Sequence, residues 1–153
     1  MQLEPGSEAP TFRAVDQTGT ERTLEDFSGS KLVVYFYPRA FTPGCTTESC
    51  DFRDSHQFLS AQGYKILGVS PDTPDKLTEF KKEYDIPFDL VSDPEFEMAK
   101  AYGAFGIKKN YGKEYEGLIR STFRIDDNGV VEDAQYNVRA KGHVDRIKQA
   151  IEV

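Results

Sequence analysis

The sequence predicts an α/β fold, with a mixed central sheet flanked by helices and a short N-terminal hairpin. Three observations carry that expectation. Apolar strand candidates alternate with helix candidates through the middle of the chain. The run Lys31 to Tyr37 is continuously apolar after its first residue, as in a strand covered on both faces. Asp126-Asp127-Asn128-Gly129 then separates two further strand candidates in the manner of an antiparallel turn.

Taken in order, residues 1 to 30 are a lead-in broken by Pro5, Gly6 and Pro10. Within it, Phe12 to Val15 and Glu21 to Thr23 read as short strands about a turn at Gln17 to Thr20, a small hairpin capping the core. Lys31 to Tyr37 is the central strand. A helix begins at Thr42 or Pro43 and is expected to run to about Gln62. Tyr64 to Ser70 is a second strand, and Pro71 and Pro74 lead into a helix from Thr73 to Tyr84. Pro87 breaks that helix, Phe88 to Ser92 is a third strand, and Pro94 opens a brief helix from Glu95 to Tyr102. Gly103 to Gly117 holds four glycines and three lysines among fifteen residues and reads as a loop, a mobile segment at the rim of a site. Arg120 to Ile125 and Val130 to Tyr136 form the terminal hairpin, and Gly142 to Glu152 the closing helix. No repeat, low-complexity tract or linker interrupts the 153 residues, so one domain over 1–153 is expected. The order is compatible with a thioredoxin-like fold, and pattern alone does not separate that from other small α/β folds.

Composition narrows the function. A net charge of −7 argues against nucleic-acid binding, and the one local basic cluster, Lys108, Lys109 and Lys113, reads as part of a solvated loop. The start M-Q-L-E-P-G-S-E-A-P lacks the basic and apolar regions of a signal peptide, and the longest apolar run, Leu32 to Tyr37, is too short to span a bilayer. A cytoplasmic protein with no membrane partner is expected. The 2 cysteines are too few for a disulfide scaffold.

Both cysteines fall in the stretch Val33 to Asp54. With Thr42 as N-cap and Pro43 as the first helical residue, Cys45 is third in the helix, where exposed N–H groups and the positive helix end favour a thiolate nucleophile. A neighbouring cation would favour it further, and Arg39 and Arg120 are the candidates. Cys50 follows five residues later. On an intact helix the two thiols would point about 140° apart with Cα atoms roughly 8 to 9 Å apart. That is beyond the ~7 Å reach of a disulfide, so bridging them requires the first turns to unwind. Gly44, Thr46, Thr47, Ser49 and Asp51 are mediocre helix formers, each costing roughly 0.5 to 1 kcal/mol relative to Ala, which makes this end easy to open. The plainer alternatives are a Cys50 that only fills the core, a Thr42 that is only an N-cap, and an Arg120 paired with Glu114 or Glu116 at the surface. His56 reads as a packed structural residue, and two His and two Cys without a close-spaced ligand pair give no zinc signature and call for no cofactor.

The run Pro38-Arg39-Ala40-Phe41-Thr42-Pro43-Gly44-Cys45 resembles the Pro-x-x-x-Thr-x-x-Cys motif of peroxiredoxins. The fuller string Y-F-Y-P-R-A-F-T-P-G-C-T-T-E-S-C-D-F-R-D is similar to the bacterioferritin-comigratory, or PrxQ, subfamily, whose second cysteine lies five residues after the first. The likeness extends over nearly the whole chain, including an Arg before an S-T-F-x-I-D strand, supplied here by Arg120 and Ser121 to Asp126. It implies a thioredoxin-like fold and a peroxidatic Cys45, with Thr42 and Arg120 organising the peroxide and Pro38 shielding the thiolate. Cys50 would be the resolving cysteine, forming an intramolecular disulfide that thioredoxin or a similar dithiol donor reduces, in a monomer or weak homodimer. Two other functions remain open: a thioredoxin-like disulfide reductase, and a noncatalytic binding or chaperone-like domain with structural cysteines. Against the reductase stand the C-x-x-x-x-C spacing in place of C-x-x-C and the absence of any proline after Pro94.

Overall fold

A computed structural model describes residues 2–110 and 112–152. In chain order the elements are β1 (Arg13–Asp16), β2 (Glu21–Thr23), a 3-10 turn (Leu24–Phe27), β3 (Lys31–Phe36), α1 (Pro43–Asp54), α2 (His56–Ala61), β4 (Tyr64–Ser70), α3 (Pro74–Glu83), β5 (Asp89–Ser92), α4 (Glu97–Ala101), β6 (Phe105–Asn110), β7 (Lys113–Leu118), β8 (Ser121–Ile125), β9 (Val131–Gln135) and α5 (His143–Glu152). Seven strands form one mixed sheet in the order β2-β1-β5-β4-β3-β8-β9. β3 runs parallel to β4 and antiparallel to β8, and β4 runs parallel to β5.

The continuous apolar character of β3 has its physical cause in this order. Alternate side chains go to opposite faces: Leu32, Val34 and Phe36 join one core cluster with Phe123 and Tyr102, while Val33 and Tyr35, with Tyr37 beyond the strand end, join another. The second cluster lies under the helices, with Cys45 and Phe52 from α1, Leu59 from α2, Leu77 and Phe80 from α3, and Val144 and Ile147 from α5. The N-terminal hairpin forms as expected, and β1 extends the sheet edge by pairing antiparallel with β5.

Two expectations need correction. The helix from Thr42 does not continue to Gln62: it breaks at Ser55, which is buried and leaves helical geometry at φ −100, ψ 3. The Ser55 amide hydrogen is shared between the carbonyls of Asp51 and Phe52, while its own carbonyl accepts from Leu59, so the chain restarts as α2 with little loss of hydrogen bonding. Gly103 to Gly117 is not a loop. β6 and β7 pair antiparallel from Phe105↔Leu118 to Asn110↔Lys113 as a two-stranded sheet. Its outer part carries no core face, since Lys113 to Glu116 are all exposed, and so the alternation that would mark a strand is absent. Lys108 is half-buried in β6 and Lys113 exposed in β7; Tyr111 and the side chain of Lys109 lie outside the described residues.

Candidate active site

Where β3 ends, Tyr37 still donates its N–H to Val69 of β4, and Pro38 follows, half-buried. The chain then turns sharply. Ala40 N–H donates to Asp72 Oδ2 at 2.7 Å, and Phe41 adopts φ +67, a left-handed conformation costly for a bulky residue. Phe41 is held there by its ring, which packs edge-on to Phe80 at 5.1 Å and against Tyr84 at 6.2 Å. Thr42 is the N-cap in extended conformation, Pro43 the first helical residue, and Cys45 the third, as the spacing predicts. The Thr42 hydroxyl does not cap the helix; it donates instead to the Arg39 carbonyl at 2.7 Å, leaving its lone pairs as acceptors. Cys45 is a free thiol with no exposed surface.

Arg120 arrives through strand register. β8 runs antiparallel to β3 with Ser121 opposite Phe36, so the residue before β8 emerges at the sheet end where β3 delivers Pro38. There Arg120 Nη2 donates to Cys45 Sγ at 3.2 Å, and Nη1 to Glu48 Oε1 at 2.6 Å. Gly44 makes room for this: a Cβ at that position would lie 3.3 Å from Nη2. Of the two candidate cations, Arg120 is therefore the one beside the thiol. Arg39 is exposed and serves the turn through its carbonyl.

The carboxylate that Arg120 meets is Glu48, a residue the sequence reading passes over. Glu48 has no exposed surface, and its Oε2 accepts no hydrogen bond from any described residue. Burial pushes its carboxyl up to about 7, although Arg120 pulls it back down. Arg120 responds in the opposite sense. Burial alone would lower it, but Glu48 and Cys45 stabilise the cation and hold it above its ordinary value. The signal that could have found Glu48 is its spacing, three residues past Cys45 and hence one turn on along the same helix face.

Cys50 lies in the same helix, half-buried and free. Burial pushes its thiol up from the ordinary value, Arg53 works against that, and Asp54 and Asp51 reinforce it. Cys50 is thus protonated and held by an intact helix, while Cys45 is buried beside a guanidinium. The site brings Pro38, Thr42, Cys45 and Arg120 to one end of the sheet and leaves Cys50 apart from them. His56 packs near Phe88 with ring centroids 6.5 Å apart and stands 3.4 Å from the Ser60 hydroxyl.

Comparison with known proteins gives concordant results. The AhpC/TSA family model matches residues 5–134. The peroxiredoxin Bcp of Bacillus subtilis (strain 168) is 42% identical over 151 residues, covering 99% of this chain and 96% of that one. The peroxiredoxin Bcp of Escherichia coli (strain K12) is 38% identical over 143 residues, covering 94% and 92%. Among solved structures, the bacterioferritin comigratory protein of Xanthomonas campestris, described for its alkyl peroxide reduction activity, superposes with a TM-score of 0.89 at 35% identity, covering 97% of this chain and 98% of that one.

Proposed function

Because the chain belongs to the AhpC/TSA family and is a peroxiredoxin of the Bcp/PrxQ kind, we propose that Cys45 is its peroxidatic nucleophile and Cys50 its resolving thiol. The observation that carries this reading is the Arg120 guanidinium reaching both the buried Cys45 sulfur and Glu48. The Cys45 thiolate attacks the hydroxyl oxygen of a hydroperoxide. An S–O bond forms, the O–O bond breaks, sulfur is oxidised by two electrons to a sulfenic acid, and the departing alkoxide or hydroxide takes a proton. Thr42 Oγ1 accepts from the peroxide O–H while its own hydrogen stays on the Arg39 carbonyl, and Arg120 steadies the charge that develops on the oxygens. Pro38, at the end of β3, shields the thiolate from water.

Once the first turns of α1 unwind, the Cys50 thiolate attacks the Cys45 sulfenic acid. An S–S bond forms, the S–O bond breaks, and hydroxide leaves to be protonated to water. A dithiol donor then reduces the disulfide, and we assign that part to thioredoxin or a protein of the same chemistry. An intramolecular disulfide needs no second chain, which favours a monomer or weak homodimer. Reduced dithiol donors are maintained in the cytoplasm, where this reading places the enzyme. Both the Cys45 and Arg120 segments adjoin the seven-stranded sheet, in keeping with 1–153 acting as one domain. Hydrogen peroxide and organic hydroperoxides are the substrates, the latter by analogy with the Xanthomonas campestris relative.

The test is intact mass after one equivalent of hydrogen peroxide. Wild type loses two hydrogens, Cys50→Ser gains one oxygen, and Cys45→Ser does neither. Peroxide consumption by Cys45→Ser at the wild-type rate overturns the assignment.

A further inference from the structure

We propose that the buried hydrogen bond between Tyr35 and Ser49 is a latch on α1 that sets how fast Cys50 reaches Cys45, making both positioning residues for the resolving step. The inference rests on the assignment of Cys45 and Cys50 above.

Ser49 immediately precedes Cys50, so an opening that carries Cys50 to Cys45 moves Ser49 with it. Inside a helix Ser is a mediocre choice, and it has no exposed surface here. Its hydroxyl is 2.9 Å from the Tyr35 hydroxyl. Tyr35 is the fixed half of the pair. It lies on β3 between β4 and β8, with its ring stacked on Phe52 at 4.5 Å and on Tyr37 at 5.4 Å, and edge-on to Phe88 at 6.0 Å. β4 accommodates the ring through Gly68, where a Cβ would stand 2.9 Å from the Tyr35 hydroxyl. Burial holds the phenol far above its ordinary titration range, so it always carries its hydrogen.

Among the described residues, three polar contacts tie the first turns of α1 to the rest of the protein: Arg120 to Cys45, Arg120 to Glu48, and Tyr35 to Ser49. The first two belong to the peroxide site, so altering them disturbs oxidation itself. The third lies off that site and is made only while the helix is wound. In the opened helix water satisfies both hydroxyls, whereas in the wound helix each depends on the other. Removing one partner strands the other in a dry core and favours opening, but removing both restores a matched apolar contact.

The experiment is rapid acid quench with mass detection on Tyr35→Phe, Ser49→Ala and the double variant, following sulfenic acid (one oxygen gained) and disulfide (two hydrogens lost). We expect sulfenic acid formation within twofold of wild type in all three. Disulfide formation should be about five- to tenfold faster in each single variant and less accelerated in the double variant, a non-additivity that general loosening of the core does not produce. Amide exchange across 43–54 in the reduced proteins should rise by the same factors. The fraction overoxidised to sulfinic acid at high peroxide should fall in step, because a shorter-lived sulfenic acid meets less peroxide. Unchanged or slower disulfide formation in both single variants overturns the latch while leaving the cysteine assignment intact. A wild-type protein that forms no disulfide overturns the assignment itself.

Discussion

Glu48 gives the most direct physical test of the site, through the replacement Glu48→Gln, which keeps the shape and removes the charge. In the folded protein this carboxyl ionises at about 7, because complete burial outweighs the attraction of Arg120. In the unfolded chain it ionises at about 4.3. Since the folded value is the higher one, the protonated carboxyl contributes its full stability below about pH 4.3, and that contribution is lost as pH rises through 7. At about 1.4 kcal/mol per pH unit across that interval, the ionised carboxylate costs the fold roughly 3 to 4 kcal/mol at pH 8, and a twofold to threefold context effect widens the range to about 1 to 4 kcal/mol. The neutral amide of the variant has no such dependence. Urea unfolding of reduced wild type and Glu48→Gln at pH 5 and pH 8 isolates the effect, because titrating groups that do not interact with Glu48 cancel in the difference. The difference should move in favour of the variant by at least about 1 kcal/mol between the two pH values. A difference that stays constant, or that moves toward wild type, refutes the claim that burial and not ion pairing governs Glu48.

Two further expectations concern the cysteine helix. Burial keeps the Cys50 thiol protonated at neutral pH, so, with opening as a rapid pre-equilibrium, disulfide formation from preformed sulfenic acid should quicken about tenfold from pH 7 to pH 8; a flat profile by quenched mass analysis would show that deprotonation is not part of the step. Gly44→Ala adds a Cβ 3.3 Å from Arg120 Nη2 and 3.8 Å from Ala140 Cβ, so stopped-flow should find peroxide reduction about three- to tenfold slower while helix stability rises by up to about 1 kcal/mol; an unchanged rate would mean that the guanidinium position does not matter.

What the sequence reveals of this protein divides along local and distant signals. Pro38, Thr42, Pro43 and Cys45 are legible because a strand end, an N-cap and a first-turn proline each leave a short-range mark. Arg120 as the partner of Cys45 is not, since it depends on the register that places Ser121 opposite Phe36. Without a resemblance to a known family, an arginine before a strand says nothing of what it will face. Glu48 was within reach of helix spacing alone, but a Glu in a helix is ordinarily solvated, and only burial shows that this one is not. The β6–β7 hairpin escapes notice for the opposite reason: exposed on both faces toward its tip, it lacks the alternation by which half-buried strands are recognised.

The residues of α1 explain how one helix serves two steps that need opposite things from it. On the roles proposed for Cys45 and Cys50, peroxide attack requires the wound helix, which keeps Cys45 against Arg120, and resolution requires that helix to open. A segment rich in good helix formers would satisfy only the first. Gly44, Thr46, Thr47 and Ser49 instead make the first turns poor on propensity, and polar contacts from Arg120 and Tyr35 supply what propensity lacks. Such contacts are short-ranged and are lost within a small displacement, so the opened helix gains nothing from partial movement and the segment behaves as a two-state element. The apolar anchor comes later, at Phe52, stacked on Tyr35 at 4.5 Å and edge-on to His143 at 6.4 Å. Withdrawing that ring would expose a fully buried aromatic side chain, at a cost of about 1.5 to 3 kcal/mol. Unwinding therefore has a natural end point between Cys50 and Phe52, which frees Cys50 while the rest of α1 stays packed on the sheet.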